Sequence, residues 1–264
     1  MRVFSFGGGV QSVAVLVLAA TGKIQYDAFL FANVGDDSES PRTLTYLREI
    51  AIPYAEAHGI PLIELRKQMR DGTPETLIDR MNRTESSIAI PVRMANGAPG
   101  NRNCTFDFKI KVVAKWVKAN GATKVNPAIV GIGISMDELH RMKTDSDIPY
   151  EVKEHPLIDM RLTRSDCMNI IRAEGLPVPP KSACFFCPYH RMTEWQRMKR
   201  EEPDLFQKSV ELERFINQRR DRMGKDHVWL TRFNRPLDEV VDISQESFKF
   251  GEALDLCETG YCMT

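Results

Sequence analysis

The chain is predicted to fold as an α/β protein: a parallel sheet with helices on both faces, followed by a C-terminal helical extension. Three observations point there. Short apolar runs alternate with helical stretches through the first half, as crossover connections between parallel strands require. The run Ala128 to Ile134 (Ala-Ile-Val-Gly-Ile-Gly-Ile) is almost continuously apolar, the mark of a strand covered on both faces. A length of 264 residues, 42% of them hydrophobic, suffices for one α/β core or one core with a small appendage.

The elements follow in order. Arg2 to Phe6 reads as the first strand, and Val13 to Ala20 as a buried helix stopped by Thr21-Gly22. Tyr26 to Phe31 is the second strand. Thr43 to His58 is a helix with Pro41 near its first turn and Gly59 closing it. Ile60 to Leu65 is the third strand. Residues 66–103 carry Gly72-Thr73-Pro74 and Gly97-Ala98-Pro99-Gly100 and read as a mobile excursion over the sheet. Phe106 to Ala119 is helical and Ala128 to Ile134 is the fourth strand. Helices at about 163–174, 192–202 and 204–223 come next, then short strands around Val228 to Thr231. The expected division is a nucleotide-binding α/β domain over 1–165 and an extension over 166–264 packed on it.

Composition removes several classes of function. No apolar run approaches the roughly 18 residues of a membrane span. The N-terminus reads as a strand without the regions of a signal peptide, so the cytoplasm is the expected compartment. Lysine plus arginine and aspartate plus glutamate both number 36, so a broad basic face for nucleic acid is not implied. Six cysteines in such a chain point to metal or redox chemistry before disulfides.

The most informative segment joins the first strand to the first helix: Ser5-Phe6-Gly7-Gly8-Gly9-Val10-Gln11-Ser12. Consecutive glycines allow positive φ and close approach of the backbone to a ligand. The helix behind them offers free N–H groups and a positive dipole end to an anion. Ser12, in the first turn, can donate a hydroxyl hydrogen bond to a phosphate oxygen. The loop lacks the lysine of a Walker-type loop and the spacing of the dinucleotide fingerprint. Further candidates follow strands two and four, where ligands of open parallel sheets collect. These are Asn33-Val34-Gly35, with Glu39 and Pro41, and Gly131-Ile132-Gly133 followed by Asp137-Glu138-Leu139-His140-Arg141. Arg141 can bridge a pyrophosphate in fork geometry, with Asp137 or Glu138 holding Mg²⁺ or steering the arginine.

The cysteines form a second constellation. Cys104 precedes a helix, and Cys184-Phe185-Phe186-Cys187-Pro188-Tyr189-His190 contains a Cys-x-x-Cys whose two thiolates can reach one centre. His190 or Cys167 could supply a fourth ligand, although Cys167 lies among apolar helix residues and reads as core. Basic residues concentrate in 191–235. Interleaved acids make a solvated helix face the simpler reading, while Arg219-Arg220-Asp221-Arg222 beside Trp229, Arg232 and Phe233 is a candidate contact for nucleic acid.

Gly7 to Ser12 resembles the PP-loop, Ser-Gly-Gly-x-Asp-Ser, of the ATP pyrophosphatases and adenylylsulfate-reductase-like enzymes. Gly8, Gly9 and Ser12 match it. Gly7 stands where that family often has Ser, and Gln11 where many members have Asp. The stretch at Asn33 resembles the family's Asp-Thr-Gly-x-x-x-Pro-Glu-Thr, with Asn in place of Asp. Gly131 to Arg141 is similar to its Gly-Ile-Arg-x-x-Glu-Ser-x-x-Arg. Cys104-Thr105 with Lys109-Ile110, then His155-Pro156-Leu157-Ile158-Asp159-Met160-Arg161-Leu162-Thr163-Arg164-Ser165-Asp166, then Cys-x-x-Cys-Pro, recur in that order in phosphoadenylylsulfate (PAPS) reductase-like proteins.

The resemblance implies a Rossmann-like PP-loop fold that binds ATP with Mg²⁺ and adenylates an acceptor, a nucleobase or nucleic acid, for sulfur transfer or a related modification. Pyrophosphate and AMP would be released. Ser5, Phe6, Gly7, Gly8, Gly9, Gln11, Ser12, Asn33, Gly35, Gly131 and Gly133 would bind the nucleotide, and Ser12, Asp137 and Arg141 would act in catalysis. Cys104, Cys184, Cys187 and His190 would hold a [4Fe-4S] cluster, with Zn²⁺ as the alternative. Expected partners are the nucleotide, a nucleic acid or sulfur-donor protein, and a second copy in a homodimer. Two rivals stand beside this reading: a sulfonucleotide reductase, and a non-catalytic nucleotide-binding subunit of a modification complex. The reductases end in Glu-Cys-Gly-x-His, whereas this chain has Glu258-Thr259-Gly260 with Cys257 and Cys262 flanking the position.

Overall fold

The computed structural model describes residues 1–84, 86–142, 146 and 148–243; Cys257, Cys262 and Glu258 to Gly260 lie outside the described residues. In chain order the elements are β1 (Arg2–Ser5), α1 (Val10–Ala20), β2 (Ala28–Asn33), α2 (Pro41–Tyr46), α3 (Ile52–Ala57), β3 (Leu62–Arg66), α4 (Leu77–Arg83), α5 (Asn103–Thr105), α6 (Lys111–Ala119), β4 (Ala128–Ile132), β5 (Glu151–Glu154), α7 (Pro156–Asp159), α8 (Arg164–Ala173), α9 (Met192–Glu201), α10 (Pro203–Arg222) and α11 (Leu237–Val240). The chain divides into two compact units. The first comprises Met1–Thr76 and Thr105–Ala183, and the second Leu77–Cys104 with the described residues of 184–243.

The expected boundary at 165/166 falls inside the first of these units. Helix α8 belongs to the first unit because it buries Cys167 and Ile171 in the same core as α1. The stretch read as an excursion likewise contributes α4 and residues up to Cys104 to the second unit.

The first unit is the predicted α/β fold, with five parallel strands in the order β3-β2-β1-β4-β5. The chain moves outward from β1 to β2 and β3, then crosses back to β4 on the other side. β1 and β4 are therefore the switch point, and the loops leaving their carboxyl ends diverge to form a crevice. One sheet face carries the aromatics Phe4, Phe6, Tyr26, Phe29 and Phe31 under α1, α2 and α8. The other packs small aliphatics (Val3, Ala28, Leu30, Ala32, Val130) against Val113 and Val117 of α6. Fully burying side chains of this size contributes about 1.5–3 kcal/mol each.

Several local departures have physical causes. The helix expected over 43–58 is broken by a π-helical turn at Leu47–Ala51. Pro53 follows it, and a proline inside a helix removes one hydrogen bond and crowds the carbonyl four residues back. A second π-helical turn, Phe106–Ile110, precedes α6. Strand β5, unforeseen, has the sequence Glu-Val-Lys-Glu and among the described residues pairs with β4 alone, so it is a short charged edge of the kind that discourages further pairing. Around Val228 to Thr231 no strand forms among the described residues; Trp229 instead exchanges backbone hydrogen bonds of 2.7 and 2.9 Å with Arg93.

The second unit is built on α10. Its buried Glu213 accepts the N–H groups of Leu230 and Leu237 at 2.6 and 2.7 Å. Asn217 bonds Val228 through both its amide atoms, each at 2.9 Å. Arg219 donates to the carbonyls of Met81 and Thr84. Trp195 of α9 is buried, 4.9 Å from the ring of His190 and 6.4 Å from that of Phe206.

Candidate nucleotide site at the switch point

The glycine loop leaves β1 at the switch point. Gly8 has φ of +75°, a conformation that side chains strain to adopt, and a Cβ there would stand 3.2 Å from Thr43 Cγ2. Gly9 is the N-cap of α1 and supplies no side-chain cap, so the first N–H groups of that helix keep their capacity for an anion. Ser12 Oγ accepts the Gly7 N–H at 3.0 Å. The bond fixes the loop and leaves the hydroxyl proton available for donation to a phosphate oxygen. Ser182 donates its hydroxyl to the Gly7 carbonyl. Its segment is fastened further by Tyr46 Oη donating to the Pro177 carbonyl at 2.7 Å and the Ser40 N–H donating to the Ala183 carbonyl at 3.1 Å.

The loop after β4 meets the same helix end. Gly133 allows this approach: a Cβ there would lie 3.5 Å from Gln11 Cβ and 3.6 Å from the Ser12 nitrogen. Gln11 Nε2 donates to Ser135 Oγ at 3.5 Å, and Ser135 Oγ donates to Asp137 Oδ2 at 3.3 Å. Asp137 also accepts the backbone N–H of Arg164, whose Nη1 donates to Gln11 Oε1 at 3.1 Å. Gln11, Ser135, Asp137 and Arg164 thus close a ring of hydrogen bonds joining α1, the β4 loop and the start of α8.

Glu138 and Arg141 lie behind this ring in a 3-10 turn, Met136–Arg141, with Arg141 Nη1 2.7 Å from Glu138 Oε2. Both residues are more than nine-tenths buried. Burial pushes the Glu138 carboxyl up, against the pull of Arg141. Glu138 pairs with Arg141, while Asp137 is bound to Ser135 and Arg164.

Other expected nucleotide contacts sit differently. Phe6 is a core aromatic packed on Phe29 and Phe31. Ser5 lines a cavity of about 40 Å³ on the α6 face, with Lys109, Glu151 and Lys153. A Cβ at Gly131 would come within 2.5 Å of Tyr26 Oη and 2.7 Å of Phe4 Cδ2, so close packing accounts for that glycine. Asn33 shapes a turn: its Oδ1 accepts the Gly35 N–H at 2.8 Å, and its Nδ2 donates to Asp36 and Glu64, each at 2.8 Å. Gly35, with φ of +125°, permits that turn. Ser135, Arg164 and Ser182 were missed as site residues. The Thr163–Asp166 capping box that fixes Arg164 is legible as Thr-Arg-Ser-Asp, whereas nothing local marks Ser135 or Ser182.

Cys104, Cys184, Cys187 and His190 all belong to the second unit. The Cys187 and His190 N–H groups bond the carbonyls of Cys184 and Cys187 at 3.1 and 3.0 Å, and His190 Nε2 lies 2.9 Å from the Cys184 carbonyl. The histidine thereby ties the Cys-x-x-Cys turn to itself. Burial raises the Tyr189 hydroxyl, Arg102 and Arg93 pull it back, and the sulfurs of Cys187 and Cys104 raise it further. Arg93 and Arg102 stand 5.7 and 5.3 Å from that ring's centre. Among the described residues no three His, Cys, Asp or Glu side chains are arranged to hold a metal ion. Cys167 is no substitute: it is fully buried in the first unit's core, where burial pushes its thiol up to about 12.

The basic helix face is largely spent within the fold. Arg214 pairs with Asp238, Arg219 and Arg220 hold backbone carbonyls, and Arg222 reaches the Gln218 carbonyl. Among the described residues no helix is long and apolar enough to cross a membrane.

No protein-family profile and no curated protein sequence matches this chain. Among solved structures it is similar to the U34-tRNA thiolase NcsA from Methanococcus maripaludis, described with its [4Fe-4S] cluster, with a TM-score of 0.43 and 14% identity over 82% of this chain and 71% of that one.

Proposed function

We propose that the chain is an ATP-using enzyme of the PP-loop type that transfers an adenylyl group to an acceptor oxygen on a nucleobase or nucleic acid, releasing pyrophosphate. The observation that carries the reading is the uncapped glycine loop of β1–α1 at the β1/β4 switch point, bound through Gln11 to the β4 loop. A triphosphate laid on Gly8 and Gly9 would receive N–H groups of α1 and the Ser12 hydroxyl. The acceptor oxygen attacks the α-phosphorus, the bond to the bridging oxygen breaks, and pyrophosphate leaves with that oxygen's charge. Donors fixed before the reaction would stabilise this developing charge. Mg²⁺ would share the work on the leaving group.

The adenylated acceptor is then open to displacement of AMP by a nucleophile. A sulfur nucleophile, with the second unit as its docking module, is the reading the sequence resemblance supports.

The test is release of pyrophosphate and AMP from α-labelled ATP in the presence of Mg²⁺ and pooled cellular RNA, anaerobically. Acceptor-dependent release of both supports the proposal. Sulfite formation from a sulfonucleotide and thiol, with no ATP consumed, sinks it in favour of a reductase. Tight ATP binding without turnover sinks it in favour of a nucleotide-binding subunit.

A further inference from the structure

We propose that the loop over residues 231–236, with the hairpin over 92–100 on which it rests, docks a single-stranded nucleic acid: Phe233 stacks on a base and Arg232 meets a neighbouring phosphate. The inference rests on the reading of the acceptor as a nucleic acid and names a surface for it, which that reading does not.

Charge points to the partner. Residues 86–106 and 227–237 contain no aspartate or glutamate, in a chain with 36 acids among 264 residues. The two stretches meet in the second unit, where Arg93 and Trp229 exchange backbone hydrogen bonds and Asn234 Nδ2 donates to the Ala95 carbonyl at 3.1 Å. Ala95, Asn96, Ala98 and Pro99 of the hairpin and Arg232 to Arg235 of the loop are exposed. A surface built from such segments attracts a polyanion through its arginines and offers no carboxylate to repel it.

The loop presents a flat ring beside an unspent charge. Phe233 is 48% exposed, although phenylalanine ranks among the residues most often buried. The Arg232 guanidinium lies over this ring, 5.4 Å from its centre, and among the described residues makes no hydrogen bond or ion pair. Arg235 pairs with Glu239 at 3.3 Å; both side chains are more than half exposed, so a phosphate readily takes the carboxylate's place. Stacking on an aromatic ring, supported by cation–π contact from arginine, is how proteins hold unpaired bases without reading their sequence.

The loop is also held in place. Buried Glu213 pinches it at its base, one carboxylate oxygen accepting the Leu230 N–H and the other the Leu237 N–H. Within it the Phe233 N–H donates to Thr231 Oγ1 at 3.4 Å, and Asn234 adopts the left-handed φ of 53° that turns the chain. A ring carried on a fixed backbone loses little freedom when a base stacks on it.

Fluorescence anisotropy of a labelled mixed-sequence RNA of about 12 nucleotides, free and in duplex with its complement, tests the surface on the full-length protein across a range of salt. Phe233→Ala should weaken single-strand binding by about fivefold to a hundredfold, the worth of one stacked base, and Phe233→Trp should bind at least as tightly as wild type. Arg232→Ala should weaken binding and reduce the slope of log affinity against log salt by about 0.7, the share of one phosphate. The duplex should bind more weakly than the single strand. Unchanged thermal midpoints establish that the variants fold. Single-strand binding by Phe233→Ala as tight as wild type, no gain from alanine to tryptophan at 233, or a duplex bound as tightly as the single strand overturns the proposal. Any of these results beside acceptor-dependent release of pyrophosphate leaves the enzymatic reading standing. A wild-type protein that neither binds RNA nor releases pyrophosphate in its presence overturns both.

Discussion

Gly131→Ala tests the packing on which the switch point depends. Gly131 sits in β4, where it pairs with Phe4 of β1, and the added methyl would meet Tyr26 Oη at 2.5 Å and Phe4 Cδ2 at 2.7 Å. Neither ring has room to retreat. Phe4 is fully buried and Tyr26 nearly so, and Phe4, Tyr26 and Phe29 lock one another with centroids 5.3 to 5.6 Å apart. Overpacking a tight core costs about 1–3 kcal/mol, and two simultaneous clashes with fixed rings place this case near the top of that range. Reduced freedom of the unfolded chain returns about 0.4–1 kcal/mol, leaving a net loss of about 2 kcal/mol. Urea unfolding followed by circular dichroism should show a lower midpoint at unchanged slope. Tyr26→Phe in the Gly131→Ala background removes the closest atom and should recover part of the loss, as coupled neighbours do. A Gly131→Ala protein within about 0.5 kcal/mol of wild type, or no recovery in the double variant, would refute the account of this glycine.

Three further outcomes are expected. Gly8→Ala and Gly22→Ala both force alanine to a φ near +70°, but only the methyl at position 8 meets a neighbour, Thr43, at 3.2 Å; Gly8→Ala should be the less stable by about 1 kcal/mol in the same urea titration. Glu151 and Glu213 are both pushed by burial from 4.5 up to about 7, so between those values the folded chain holds protons that the unfolded chain has released. This contribution to stability is full below about pH 4.5 and is lost as pH rises to about 7. Glu151→Gln should flatten the slope, with a gain on the order of 1 kcal/mol at pH 8 and none at pH 4, read from thermal midpoints across pH. Cys167, with its thiol pushed up to about 12 inside the core, should resist iodoacetamide at pH 8 in the native protein and react only on unfolding; labelling of the native protein there, detected by peptide mass spectrometry, would contradict its placement.

The fold was legible wherever one signal governed a whole element. Continuous apolar runs marked β1, β2 and β4, and the glycine loop with its apolar helix marked the site end of the sheet. Strand β5 was not legible, because four residues alternating Glu-Val-Lys-Glu acquire strand geometry only from the neighbour they pair with. The interrupted helix after Pro41 was half legible: its apolar face was plain, while the effect of Pro53 depended on the π-turn that precedes it. The division into units was hidden because residues 77–104 and the C-terminal part are far apart in sequence and meet through backbone pairs such as Arg93 with Trp229. At the candidate site, residue type singles out Gly8, Gly9 and Ser12, while the close packing at Gly131 and the turn at Asn33 come from neighbours that residue type does not reveal. Arg164 escaped notice because its place beside Gln11 comes from tertiary contacts.

The segment over residues 177–183 bears on how this site would look across evolution. Its two outer fastenings are made to its own main-chain carbonyls, by Tyr46 and by the Ser40 N–H, and any residue supplies a carbonyl. Ser182, bonded to the Gly7 carbonyl, adds a side-chain hydrogen bond, and Val178 packs on the core. Selection on such a segment acts on its path far more than on its letters. In homologous chains, position 181 is then free to drift, while an apolar residue at 178, a hydroxyl at 182 and an aromatic hydroxyl at 46 persist. A sequence profile would score this stretch as a variable linker, although it rests on the glycine loop of β1–α1.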